Sequence, residues 1–147
     1  LAGPLLREPP LKPTQDEVGL AAAMAHDLLR LRFSTPMFRL GQARLVPETV
    51  RSPVTATEHA QDGVIVMRGD DLGAEPVDAE LAGVVLVLNA RPDAVEQALP
   101  SLQGRMLELS QVQAEGSDEV VKTSIWDAKA AVLRVPGRTA SVFCEPR

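Results

Sequence analysis

A single helical period, closed by a proline, precedes a long remainder that never repeats it. From Val18 to about Phe33 the apolar residues recur at helical spacing: Val18, Ala21, Ala22, Ala25, Leu28 and Leu29, with Leu20, Met24 and Leu31 widening the stripe. Just ahead of them, Thr14-Gln15-Asp16-Glu17 is a capping box, a Thr whose oxygen takes a first-turn amide and a Glu that reaches back. Asp16 and Glu17 suit the positive end of a helix, Arg30 and Arg32 its negative end. Pro36 stops the period and pushes Thr35 out of helical space. The spacing therefore predicts a helix over Thr14–Phe33. Leu1–Pro13, with prolines at 4, 9, 10 and 13, predicts an extended lead-in. A helix with so broad an apolar face needs a partner surface. That partner is either the domain that follows or a neighbour that is missing.

After Pro36 the texture is that of an all-β domain, with short apolar runs set apart by Gly, Pro, Asp and Asn. Strands are expected at Ala43–Val46, Gly63–Arg68, Gly83–Asn89, Val95–Ala98, Met106–Leu109, Thr123–Trp126, Ala131–Val135 and Thr139–Cys144. Val64–Met67 and Val84–Leu88 are continuous apolar runs, which predicts strands covered on both faces. Gly137-Arg138 predicts a tight hairpin turn between the last two strands. Val54–Gln61, Asp70–Glu80 and Glu115–Glu119 read as loops. The division is thus a lead-in with its helix over 1–36 and a β domain over 37–147.

Composition narrows the function classes. A chain of 147 residues can bury roughly 70% of its unfolded surface, so it needs no metal or disulfide to fold. Its net charge of −5 gives no attraction to nucleic acid or anionic lipid. No apolar run is long enough to span a bilayer, and no signal-peptide pattern opens the chain. Its first residue is Leu rather than Met, which reads as an excised piece of something longer. One cysteine, Cys144, excludes an internal disulfide, and His26 and His59 leave little for a metal site. No metal and no cofactor are expected. Aromatics are scarce: Phe33, Phe38, Phe143 and Trp126, with no tyrosine. A sugar-binding face is normally paved with such residues.

Candidate chemistry is sparse. Asp70, Asp71, Asp78 and Glu80 make an acidic loop without calcium-loop spacing, which reads as a solvated turn. His26 beside Asp27 has no nucleophile at a recognisable spacing and reads as hydrogen-bonded structure, and His59 as exposed. There is no Gly-x-Ser-x-Gly elbow and no phosphate loop. No carboxylate pair is placed for glycosidic cleavage. Cys144 reads as a small hydrophobe. Trp126 is the one residue offered as a carbohydrate contact, against its plainer reading as core.

The segment Ser34-Thr35-Pro36-Met37-Phe38-Arg39-Leu40-Gly41 resembles the Ser-Ser-Pro-Leu-Phe-Arg-Leu-Gly segment at the C-terminal end of bacterial pullulanases, the pullulanase-type α-1,6-glucosidases of the α-amylase superfamily. Other pieces agree in order: Pro4-Leu5-Leu6 with Leu11-Lys12-Pro13, Gly63–Met67 with Asp70-Asp71, Gly83–Asn89 with Pro92, Val112-Gln113 with Ser117-Asp118 and Val120-Val121, and Val135–Phe143. Val54–Gln61 and Ser110-Gln111 depart from the family pattern. The resemblance implies a parent enzyme that hydrolyses α-1,6-glucosidic links in pullulan, starch and glycogen-type polysaccharides. Its catalytic carboxylates would lie on a (β/α)8 barrel N-terminal to this segment.

Taken together, the expected fold is mainly β: an antiparallel β-sandwich preceded by one long α-helix, the last helix of a missing catalytic barrel. The expected role is non-catalytic, to cover and stabilise that barrel, with no catalytic residue in this chain. Its partner would be the intramolecular barrel, met by Val18, Ala21, Met24, Ala25, Leu28 and Leu29. Self-association through the same face remains open. The alternative is an α-glucan-binding module using Trp126. The compartment is left open, with secretion or the cell envelope suggested by family analogy alone.

Overall fold

The computed structural model describes residues 12–73 and 75–147. Most of the expected lead-in Leu1–Pro13 therefore lies outside the described residues. Helix α1 spans Gln15–Ser34 and starts on the expected box. The Glu17 amide donates to Thr14 Oγ1 at 3.2 Å, and the Thr14 amide donates to Glu17 Oε2 at 2.7 Å. Two of the helix's orphan amide groups are thus satisfied reciprocally. At the other end Thr35 is extended, as a residue before proline must be. Its hydroxyl accepts from the Met37 amide at 3.1 Å and opens a 3-10 turn over Pro36–Arg39.

Two antiparallel sheets follow. Strands β1 (Val50–Arg51), β2 (Val64–Asp70), β3 (Leu81–Asn89), β5 (Glu108–Leu109) and β8 (Thr139–Pro146) form one sheet in the order β1-β2-β3-β8-β5. Strands β4 (Val95–Ala98), β6 (Ile125–Asp127) and β7 (Val132–Val135) form the other, in the order β4-β7-β6. Alternation along each strand decides which side chains meet between the sheets. From the five-stranded sheet come Val66, Val85, Val87 and Phe143; from the smaller one come Val95, Leu133 and Val135. Leu99, Leu102 and Leu107 plug the ends of this layer. Fully burying each such side chain contributes about 1.5–3 kcal/mol, so this layer carries most of the stability.

Polar side chains fasten the layers. Asn89, buried at the end of β3, donates to the carbonyls of Asp93 (2.9 Å) and Pro136 (2.8 Å) and accepts from the Arg91 amide (3.0 Å). It thereby ties the larger sheet to the chain entering and leaving the smaller one. Gln113 lies in α3 (Gln111–Ala114), a single helical turn absent from the expectations. Its amide donates to the Ala140 carbonyl and accepts from the Val142 amide, each at 2.7 Å. A side chain thus continues the ladder along β8 where β5 has ended.

Several expectations need correction. Ala43–Val46 is no strand: it runs into a short helix, α2 (Leu45–Thr49), and β1 begins only after it. Pro47 explains this, because it lacks the amide a ladder needs yet is tolerated in a first helical turn. Val64–Met67 is covered on one face only, with Ile65 58% and Met67 39% exposed. β3, the middle strand, does have Val84, Val85 and Val87 buried. Gly137-Arg138 is not a hairpin turn. β7 pairs with β4 and β6, whereas β8 pairs with β3 and β5. The chain crosses from one sheet to the other there, with Arg138 in the left-handed region (φ 53) and Gly137 pressed against the Pro92 carbonyl.

The acidic loop is also not a solvated turn, since Asp71 and Asp78 are both buried. Asp71 accepts from the amides of Val77 and Asp78 and from Arg147. Asp78 accepts from the Thr35 hydroxyl and from the amides of Glu80 and Leu81. Arg147 also donates to the Asp71 and Asp78 carbonyls. These bonds lock the loop between β2 and β3 and clamp it to the end of α1.

Candidate docking interface

Helix α1 touches the sandwich along one side. Leu31 is its one buried residue, Met24 is half-buried, and Asp27 Oδ2 accepts from the Ser117 amide at 2.7 Å. That amide and the Ser117 hydroxyl, with Arg30 beside them, hold the Asp27 carboxyl below the usual aspartate range. Stepping round the helix at 3.6 residues per turn places Val18, Ala22, Ala25, Leu29 and Phe33 on the opposite side. All five are exposed: Val18 is 54%, Leu29 57% and Phe33 62% open to solvent.

Of the six residues expected at a domain seam, Val18, Ala21, Ala25, Leu28 and Leu29 lie open, and Met24 is the one turned partly toward the sandwich. Phe33 belongs with the open stripe, although it was missing from the expected set. It sits four residues after Leu29, so the helical period alone pointed to it. α1 thus carries apolar side chains on two sides, one meeting the sandwich through Leu31 and Met24 and one lying open.

The other candidates sit apart from this surface. Trp126 packs partly buried against the core, and its indole N–H donates to the Arg105 carbonyl at 2.8 Å. Nearby, Arg105 and Arg68 reach Asp70, and Arg105 also pairs with Glu145, closing that end of the sandwich with charge. His26 is exposed on α1 rather than packed, and His59 is half-buried beside Glu58. Cys144 is half-buried, and burial pushes its thiol up, away from the thiolate. Among the described residues no three His, Cys, Asp or Glu side chains are grouped to hold a metal ion. No described helix is long and apolar enough to cross a membrane.

Comparison with known proteins fits this geometry. The family model for the C-terminal region of pullulanase-type alpha-1,6-glucosidases matches residues 1–146. The chloroplastic pullulanase 1 of Arabidopsis thaliana is 36% identical over the whole of this chain, which covers 16% of that protein. A pullulanase of Klebsiella pneumoniae is 28% identical over 92% of this chain, covering 12% of that protein. The crystal structure of PulA from Klebsiella oxytoca superposes with a TM-score of 0.79 at 27% identity, over 92% of this chain and 13% of that one. The chain thus spans about an eighth to a sixth of the length of these relatives. With its strand order, its leading helix and a family match along nearly its whole length, the chain belongs to the pullulanase-type α-1,6-glucosidase C-terminal domain family.

Proposed function

We propose that this chain is the non-catalytic C-terminal β-sandwich of a debranching enzyme that hydrolyses α-1,6-glucosidic links in pullulan and related α-glucans. Its task is to stabilise the catalytic barrel, with α1 as the last barrel helix and the seam between the two bodies. The observation that carries this reading is the open stripe Val18–Ala22–Ala25–Leu29–Phe33, on the side of α1 that the sandwich does not use. Removing the exposed parts of Val18, Leu29 and Phe33 from water would contribute about 1–2 kcal/mol each. In a chain without that neighbour, the same stripe is where a second copy would pair.

The test compares the longer enzyme with and without Leu29→Glu. The variant should keep kcat/KM on pullulan at moderate temperature and inactivate faster on heating. Unchanged inactivation would remove the seam, and hydrolysis of pullulan by the purified 147-residue chain would remove the non-catalytic assignment. Retardation of the purified chain in a pullulan gel, lost in Trp126→Ala, would favour a glucan-binding module instead.

A further inference from the structure

The outer face of the five-stranded sheet carries a second apolar surface. Between the end of α1 and that face runs a groove of about 410 Å³, lined by Met37, Phe38, Leu40, Val46, Met67 and Leu86 among others. Phe38 and Leu86 also line a smaller cleft of about 220 Å³ that reaches Leu28 on the flank of α1. Helix flank, 3-10 turn and sheet therefore form one continuous concave surface, and Ile65 extends it along β2. Isolated apolar side chains at a surface are ordinary, but a connected patch that opens into a groove marks a contact site.

Its charge is opposite to that of the molecule. The chain carries −5 overall, yet the charged residues lining this groove are all arginines. Arg32 and Arg39 are exposed, and neither pairs with a carboxylate among the described residues. The Arg39 guanidinium lies over the Phe33 ring at 4.8 Å, which holds it between the open stripe of α1 and the groove. Two copies meeting here would bring these arginine-edged grooves together, which disfavours a symmetric pair. The relatives supply another occupant, because this chain covers 12–16% of their length and the rest of each polypeptide lies beyond it.

We propose that this groove is a second docking surface, which receives an apolar segment flanked by carboxylates from the neighbouring domain of the same polypeptide. The proposal rests on the reading of this chain as one domain of a longer enzyme, and it adds to the seam on α1 a separate contact on another element with its own charge requirement. Arg32 and Arg39 would select the register of the segment, while Met67 and Leu86 would supply the floor.

Peroxide oxidation of methionine, read by mass spectrometry, tests it without perturbing the fold. Met67 is 39% and Met106 68% exposed, and Met106 lies outside the groove and serves as the reference. In the longer enzyme Met67 oxidation, relative to Met106, should fall about tenfold from its rate in the 147-residue chain alone. Arg39→Glu in the longer enzyme should restore most of that oxidation, and Arg39→Lys should not. Equal oxidation of Met67 in the two proteins would overturn the proposal. So would protection in the chain alone that grows with concentration, since the occupant would then be a second copy. Hydroxyl-radical labelling of Phe33 separates the two contacts. Phe33 protected with Met67 open discards the groove and keeps the seam; Met67 protected with Phe33 open supports the groove and discards the seam.

Discussion

Asp78 shows how one carboxylate can connect three parts of the chain. Burial opposes its charge, but the Thr35 hydroxyl, the Glu80 and Leu81 amides and the nearby Arg147 outweigh that and hold its pKa below the ordinary 3.8. Asp27 is held below its ordinary value in the same direction, by Ser117 first. A pKa depressed in the folded state favours folding in the ionised form. The contribution is complete above the unfolded-state value and is lost as pH falls through the folded one. The urea midpoint of the chain should therefore be flat from neutrality to about pH 5 and fall below about pH 4. Asp78→Asn should flatten that acid limb. At pH 7 it should cost about 1–3 kcal/mol, because the hydroxyl and amide donors lose a charged acceptor. An acid limb unchanged in the variant would show that other carboxylates govern it.

At the scale of the element, α1 is unevenly anchored. Its last turns hold Leu31, Asp27 and the clamp at Thr35, whereas Gln15–Ala22 is exposed throughout. Short helices without tertiary packing are marginal in water. Amide exchange in the chain alone should therefore be fast at 19–23 and slow at 27–31, a gradient that uniform protection along α1 would contradict. The helix was legible in the sequence because its signals are local: a capping box, a period and a proline. Strands β3 and β4 were legible for a similar reason, with apolar residues bounded by Gly, Asn and Pro. The crossing at Gly137-Arg138 was not, because a three-residue connection, Pro136–Arg138, carries no information about which sheet takes up the next strand. Nor could the run Val64–Met67 reveal its open face, since a continuous apolar run does not say whether one face of the strand or both are covered. Asp71 and Asp78 misled for the opposite reason: acidic residues in a loop read as solvated until the donors that surround them are known.

At the scale of the whole molecule, the described residues form one core and leave two apolar surfaces open, the far side of α1 and the groove beside it. The β domain has its own buried cluster, with Val66, Val87, Leu133, Val135 and Phe143 at its centre. Its open apolar surface lies on the side of the helix, around Val18, Leu29 and Phe33, and along the groove that Met67 and Leu86 line. No pattern in the sequence separated covered from open positions on α1, because both are written in Leu, Met, Val and Ala. The indole described at the end of the sandwich has a practical consequence. Trp126 is the only tryptophan and there is no tyrosine, so the near-ultraviolet emission of this chain comes from a single ring hydrogen-bonded to the Arg105 carbonyl. During thermal melting, a red shift of that emission should report separation of the two sheets and stay blind to fraying of the helix, which far-ultraviolet dichroism would register at lower temperature.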